Sequence, residues 1–332
     1  MQTQIKRIDE NSVAEAKEIL LSGGVVAIPT ETVYGLGGNA FDDTAVQKIF
    51  AVKGRPADNP LIAHVHTDYD LSKIIDYDTE IAKKLRAAFL PGPLTLVYPS
   101  TGKVSKYVSC GLNTLAVRVP SHAGAQALLK AVNLPVVAPS ANLSRHVSPT
   151  SAKHVYDDFS GRIPLILDGG EAIGGIESTV CDVSGEVPVI LRPGLITKEQ
   201  IAAVCGDCLV YEHKGEKQVK SPGVLYKHYS PRCETALFTT VAQAVEECER
   251  LRQDKRVGIL CESKWLDRFV GVVCYDLGKT PEEMATRLYA ALRKAEEECD
   301  LLIAIKPEQR GGVMDGVLNR LEKACTSKDV AH

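Results

Sequence analysis

Lys53-Gly54-Arg55-Pro56-Ala57-Asp58-Asn59-Pro60 is the stretch best suited to chemistry on a polyphosphate. Lys53 closes a helical run, Gly54 suits the left-handed position after a helix, and Pro56 forces Arg55 extended. In the plainer reading this lysine only offsets the helix dipole, worth about 0.3–1 kcal/mol. Lys53, Arg55 and Asn59 on proline-stiffened backbone instead form a rigid cationic loop, matched to phosphate oxygens. A second segment, Pro29-Thr30-Glu31-Thr32-Val33-Tyr34-Gly35, follows a short apolar run, so its hydroxyls lie where a sheet edge opens into a pocket. A third, Pro139-Ser140-Ala141-Asn142, leads on to Ser148-Pro149-Thr150. A Ser-x-Asn turn after a strand aims amides and short polar side chains one way, the makings of a small anion site, although most such turns are structural. The fourth is Ser178-Thr179-Val180 with Arg192-Pro193-Gly194, where a proline again fixes an arginine. Arg118 sits inside the apolar run Leu115-Ala116-Val117-Arg118-Val119. An unpaired charge there is costly, which predicts an anionic partner, either a buried carboxylate or a substrate.

Two familiar nucleotide motifs fail. Gly35-Leu36-Gly37-Gly38-Asn39-Ala40 fits a loose GxGxxA, but it follows a polar loop and opens no long helix. Gly278-Lys279-Thr280 resembles the end of a P-loop, but Val273 stands where the first glycine is required. Cys205-Gly206-Asp207-Cys208 has the spacing of half a zinc site; only His213 and Cys233 are near along the chain, and a turn with two small thiols is the favoured reading.

The elements that must hold these residues alternate throughout. Ser12 and Glu15 suggest a capping box on a first helix, ended by Gly23-Gly24, and residues 25–28 read as a buried strand. Residues 29–43 read as a polar loop and 44–52 as a helix, with further helices at 78–89 and 122–132. Strand-like runs fall at 61–65, 94–98, 115–119, 135–139, 164–168, 178–183 and 188–192. Beyond a charged, proline-containing stretch, a second alternation follows. Its long helix has Thr280 as cap, Pro281 in the first turn, Glu283 completing the box, and Met284, Leu288, Leu292 and Ala295 on one face. The expected fold is α/β: a twisted mixed sheet with packed helices, then a smaller Rossmann-like α/β domain. The boundaries predicted are 1–208 for the first domain, 209–232 for a linker and 233–332 for the second.

At 332 residues, 45% hydrophobic and 24% charged, the chain reads as two globular domains. A net charge of −3 supplies no global field for nucleic acid or an anionic membrane. No apolar run nears the roughly 20 residues of a membrane span, and the polar N-terminus carries no signal-peptide pattern. Ten scattered cysteines read as reduced thiols, which places the chain in the cytoplasm.

In their order and spacing, the four segments closely resemble the YrdC-like threonylcarbamoyl-AMP synthases from about Gly24 to Gly194. The most specific parts are the Lys-x-Arg of Lys53 and Arg55 and the Ser-x-Asn of Ser140 and Asn142. Residues 29–37, 90–97 and 221–231 look like the family as well, in its longer form with a linker and a C-terminal domain. The resemblance implies a nucleotidyltransferase that joins L-threonine, bicarbonate and ATP into threonylcarbamoyl-AMP and pyrophosphate, with Mg2+ bound alongside the nucleotide and no dedicated protein metal site. It implies Lys53 and Arg55 as catalytic cations. Arg55, Asn59, Thr114, Asn142, Thr150, Arg192 and His228 would hold ATP, and Thr32, His64, Arg118, Ser140 and Ser178 would hold threonine. It also implies that the linker folds over the nucleotide as a lid, and that the product passes to a tRNA threonylcarbamoyl-transferase complex, with tRNA contact weak or indirect. His64 and His66 could accept a proton, His66 with less reason. No nucleophile–base pair is found, and no covalent enzyme intermediate is expected. Two rivals are a double-stranded RNA binder, disfavoured by the net charge, and a carbamoyl-phosphate-using transferase, whose zinc-finger and acylphosphatase modules this sequence lacks.

Overall fold

The computed structural model describes residues 2–211 and 229–326. Helices begin and end where short-range chemistry directs. Glu10–Leu21 is capped by Asp9, not by Ser12; the Ser12 hydroxyl instead completes the box as its third residue, accepting from the Asp9 amide at 2.9 Å. An aspartate at that position outcompetes the serine because its carboxylate also complements the helix dipole. Asp43–Lys53 ends on Gly54 at φ 60°, ψ 35°, the left-handed cap that the sequence predicts. The stretch read as a polar loop contains a strand, Gly35–Asn39, hidden by its glycines. They are required there: a Cβ on Gly38 would lie 2.9 Å from Ile49 Cδ1 on the helix packed above it.

Across the large sheet the strands lie in the order Gln4–Arg7, Leu165–Asp168, Val26–Ile28, Gly35–Asn39, Val136–Val137, Ile62–His64, Thr114–Arg118, Leu94–Pro99, Thr179–Asp182, Val189–Arg192 and Leu209–Val210. Parallel and antiparallel pairs mix: Ile62–His64 runs parallel to Thr114–Arg118 but antiparallel to Val136–Val137. This register sets His64 beside Arg118, so both side chains issue from the same end of neighbouring strands. The helices Ala152–Phe159 and Lys198–Cys205 are not predicted from the sequence; both are short and were masked by nearby turn residues.

The second sheet is fully parallel, ordered Glu234–Phe238, Leu301–Ile305, Val257–Cys261, Val273–Asp276, as a Rossmann-like unit requires. Its helix Pro281–Glu298 starts at Thr280 and Pro281 as expected, with Met284, Leu288, Leu292 and Ala295 all buried. This unit shares a core with the first: Val33, Val147 and Ile176 join Met284, Leu288, Tyr289 and Val317 in one apolar cluster.

Candidate active site

One cleft gathers residues from all four segments: Thr32, Lys53, Arg55, His64, Arg118, Ser140, Asn142, Ser178 and Arg192 line it. Lys53 occupies it differently from expectation. A free phosphate-binding lysine would be exposed, yet Lys53 is 2% exposed. Its Nζ donates to the carbonyls of Ser140 at 2.5 Å and Asn142 at 2.6 Å. Lys53 therefore fastens the Ser-x-Asn turn to the end of helix Asp43–Lys53. Burial, and next the like charge of Arg55, draw its ammonium well below the ordinary lysine range. Arg55 is half-buried and, among the described residues, donates only to backbone oxygens, those of Asn59 at 3.2 Å and Pro60 at 3.5 Å. Burial lowers its pKa to about 10, which leaves it charged at neutral pH. Among the described residues, neither cation has a carboxylate in ion-pair contact.

Buried polar atoms without a protein partner concentrate here. Arg55 Nε and Asn142 Oδ1 are among them, as are both amide atoms of Asn59, which is 1% exposed and directly precedes the lining residue Pro60. Such groups are rare in folded proteins and mark places where something else supplies the bond.

At Thr32 the anionic partner predicted for Arg118 is a protein carboxylate. Arg118 Nη2 lies 2.7 Å from Glu31 Oε1, Nη1 donates to Thr32 Oγ1 at 2.8 Å, and Nε to Gly92 O at 3.3 Å. A guanidinium has five N–H donors, so part of the fork stays available. Burial raises the Glu31 carboxyl, but the Arg118 charge outweighs it and holds the group below its ordinary 4.5. His64 Nδ1 is 3.2 Å from Ile62 O, so Nδ1 carries the proton and Nε2 is left as an acceptor. Burial, reinforced by Arg118, pulls its pKa to about 3. His64 is thus a neutral hydrogen-bond acceptor at physiological pH and no store for a proton. His66 lies outside the cleft and meets Asn133 Oδ1 at 3.0 Å.

Ser178 and Arg192 form another wall. Arg192 donates from Nε and Nη2 to Ser178 O at 3.2 and 2.9 Å, leaving Nη1 uncommitted among the described residues. The Ser178 hydroxyl bonds Thr95 Oγ1 at 2.8 Å. Thr114 and Thr150 are not on the lining. Thr114 borders a narrow recess beside Pro60 and Leu61, and Thr150 is buried against His154 Nδ1 at 3.3 Å. His228 lies outside the described residues.

Sequence reasoning missed Glu31, Arg145, His146 and Glu177, and reached Tyr229 only as part of the stretch 221–231 expected to fold over the nucleotide. Arg145 and Tyr229 have φ of 73° and 67°, which non-glycine residues seldom adopt, and both line the cleft. The Ser230 amide donates to Arg145 O at 2.9 Å, and Tyr229 stacks on Tyr289 at 5.4 Å, so the chain after the linker is anchored beside the Ser-x-Asn turn. The family likeness of 221–231 pointed to this region of the cleft, but not to these contacts. Cys205 and Cys208 are free thiols; burial raises both, Cys208 to about 11, as for unreactive structural cysteines.

His146 joins the two halves of the molecule. Its ring lies 2.9 Å from Asp158 and 2.7 Å from Glu296, with Arg293 and Arg232 beside Asp158. Burial opposes the charged ring, but the two carboxylates prevail and raise it above 6.5. A raised histidine contributes stability that is complete below the unfolded pKa and is lost as pH climbs through the folded value. The thermal midpoint should therefore fall as pH rises above the ordinary 6.5, and His146→Gln should flatten that fall. Equal slopes for both proteins would remove His146 as the cause.

Comparisons with known proteins agree with this geometry. Residues 18–194 match the Sua5, YciO and YrdC family model, described as "Telomere recombination", and residues 196–326 match the model of the threonylcarbamoyl-AMP synthase C-terminal domain. The chain belongs to the two-domain threonylcarbamoyl-AMP synthase family. It is 41% identical to the threonylcarbamoyl-AMP synthase of Pyrococcus abyssi, over 96% of this chain and 95% of that protein. Identity is also 41% to that of Bacillus subtilis, over 95% of this chain and 93% of that one. The crystal structure of P. abyssi Sua5 complexed with L-threonine superposes with a TM-score of 0.89 at 40% identity, covering 97% of this chain and 96% of that one.

Proposed function

We propose that this chain makes threonylcarbamoyl-AMP and pyrophosphate from L-threonine, bicarbonate and ATP. The observation that carries this reading is the meeting of Lys53, Arg55, Arg118 and Arg192 in one cleft, where only Arg118 has a carboxylate partner among the described residues. Arg55 and Arg192 take the phosphates, with Asn59 offering both atoms of its unpaired amide and Asn142 its unpaired Oδ1 to the nucleotide. Arg118, Thr32, His64, Ser140 and Ser178 take threonine, the arginine facing its carboxylate. Thr114 and Thr150 act at the nucleotide's margin, if the recess and the His154 contact open on binding. Lys53 serves by holding the turn that carries Ser140 and Asn142.

The threonine amine adds to the carbon of bicarbonate; an N–C bond forms and water leaves, giving the carbamate. A carbamate oxygen then attacks the α-phosphorus, the bond to the bridging oxygen breaks, and pyrophosphate departs with that electron pair. No side-chain nucleophile is needed. Holding the reactants adjacent can supply effective molarities of about 10⁵ M or more, and fixed cations stabilise charge on the departing phosphates. Magnesium accompanies ATP in this scheme. Among the described residues no cluster of three or more His, Cys, Asp or Glu side chains could hold a metal, and Glu31 and Glu177 are already paired with arginines. In this scheme the ion would enter with the nucleotide and help to neutralise charge on its phosphates.

In this reading residues 1–208 form the catalytic unit, 209–232 the linker and lid, whose start, Leu209–Val210, still pairs with Val189–Ile190 at the edge of the large sheet, and 233–332 the C-terminal unit. The anchoring of Tyr229 and Ser230 beside the cleft supports a linker that passes the nucleotide, which His228 would reach. The product would pass to a tRNA threonylcarbamoyl-transferase complex. No helix among the described residues is long and apolar enough to cross a membrane, and ten free thiols suit the reducing cytoplasm.

Incubation with ATP, labelled bicarbonate and single amino acids, followed by mass analysis, tests the activity. Threonine should be used and valine rejected by about 10⁴-fold or more, because groups built to bond the hydroxyl would stay unpaired. Serine, lacking a methyl, should lose only about 1–3 kcal/mol. Equal use of valine and threonine would contradict the reading.

A further inference from the structure

Ser178 and Arg192 are each flanked by a residue held from the C-terminal unit. Glu177 precedes Ser178 and Pro193 follows Arg192. Arg320, on helix Val313–Ala324, is 0% exposed and reaches both. Its Nε lies 3.0 Å from Glu177 Oε2, its Nη1 donates to Pro193 O, and its Nη2 lies 3.4 Å from Glu177 O. Tyr289, on the neighbouring helix, donates to Glu177 Oε2 at 2.9 Å, and Ser148 to Oε1 at 2.6 Å. The backbones are nearly in contact as well: a Cβ on Gly316 would lie 3.1 Å from Gly194 Cα.

A buried ion pair of this kind adds little stability over apolar residues of the same volume, because desolvation offsets the attraction. What it fixes is geometry. The planar guanidinium presents donors in a rigid fork, and here the fork spans the two chain segments that Arg192 and Ser178 occupy. We infer that Arg320 and Tyr289 are positioning residues for the reaction, holding Arg192 and Ser178 in place through Glu177 and Pro193. The C-terminal unit is then a structural wall of the active site. This rests on the reading of Arg192 and Ser178 as substrate ligands.

Steady-state kinetics on the full chain test it, using Tyr289→Phe, Arg320→Lys and Arg320→Met, with Arg192→Ala as reference and the exposed pair variant Arg256→Ala as control. Tyr289→Phe and Arg320→Lys should melt close to the unaltered protein yet show kcat/KM for ATP about tenfold lower, carried mainly by KM, and Arg320→Met about a hundredfold lower. Arg256→Ala should change neither constant. If Arg320→Met fails to fold, the two milder variants decide. Unchanged kinetics in both, beside an impaired Arg192→Ala, would overturn the positioning role. Unchanged kinetics in Arg192→Ala would instead overturn the ligand assignment beneath it.

Discussion

Lys53→Met should abolish most adenylate formation, by about a hundredfold or more in kcat/KM, and should also weaken the fold. The methionine fills the same space but leaves the carbonyls of Ser140 and Asn142 without their donor. Each unsatisfied buried acceptor costs about 1–3 kcal/mol. The turn they belong to carries two proposed ligands, and a shift of about 1 Å in such groups can lower a rate a hundredfold. Lys53→Arg should not restore activity, since a planar fork cannot replace a compact ammonium between two converging carbonyls. Arg55→Ala offers the contrast. Among the described residues its guanidinium donates to the oxygens of Asn59 and Pro60 alone, at 3.2 and 3.5 Å, so stability should hold. Loss of a charge-assisted bond to phosphate should still lower turnover by about one to two decades. Urea unfolding beside kcat/KM separates the two cases. A Lys53→Met protein with full activity would show that the turn does not depend on this lysine.

That division between Lys53 and Arg55 was not legible in the sequence, although their importance was. Spacing, prolines and Gly54 place both residues at a helix end, because those signals act over a few residues. Whether a lysine at that end points to solvent or back under a turn 87 positions later depends on the tertiary fold. The same limit explains Arg118: its place in an apolar strand predicts an anionic partner, but cannot choose Glu31 over a substrate. Strands with branched apolar side chains were found nearly in register, whereas Gly35–Asn39 was not, since glycine signals a turn unless a helix packs closely above it. Arg293 and Arg320 lay unnoticed on helix patterns whose charged residues normally face water. Only the docking of the two units makes them internal.

The docking itself has electrostatic consequences near the cleft. Glu177 is surrounded by Arg320, Arg192, Ser148 and Tyr289, and although burial raises its carboxyl, these groups hold it down at about 2. A depressed carboxylate contributes stability that is present above its unfolded pKa and is lost as pH falls through the folded one. Acid should therefore loosen the wall at Ser178 progressively as pH falls from the ordinary 4.5 through the folded value of about 2, whereas the His146 bridge weakens toward alkaline pH. The join between the units is held most firmly in mildly acidic solution, above the ordinary 4.5 of Glu177 and below the ordinary 6.5 of His146, where both contributions are complete.

Arg118→Met should be the most destabilising single change in the cleft and should also remove threonine use. Glu31 would keep a buried negative charge with no cation beside it; its side chain is 7% exposed. Breaking a buried pair from one side costs about 3–5 kcal/mol. Removing both charges, in the double variant Glu31→Gln with Arg118→Met, should recover most of that loss, because a neutral pair of similar volume is often no worse than the ion pair. Activity should not return with it. Arg118 spends one N–H on each of Glu31, Thr32 and Gly92, and the remaining donors are those available to a substrate carboxylate. The double variant therefore separates the two duties of this arginine. Unfolding free energies compare the single and double variants, and calorimetry with L-threonine reads binding in the refolded protein. A double variant that is stable and binds threonine as tightly as the unaltered chain would leave Arg118 a purely structural charge, and would move the carboxylate site elsewhere in the cleft.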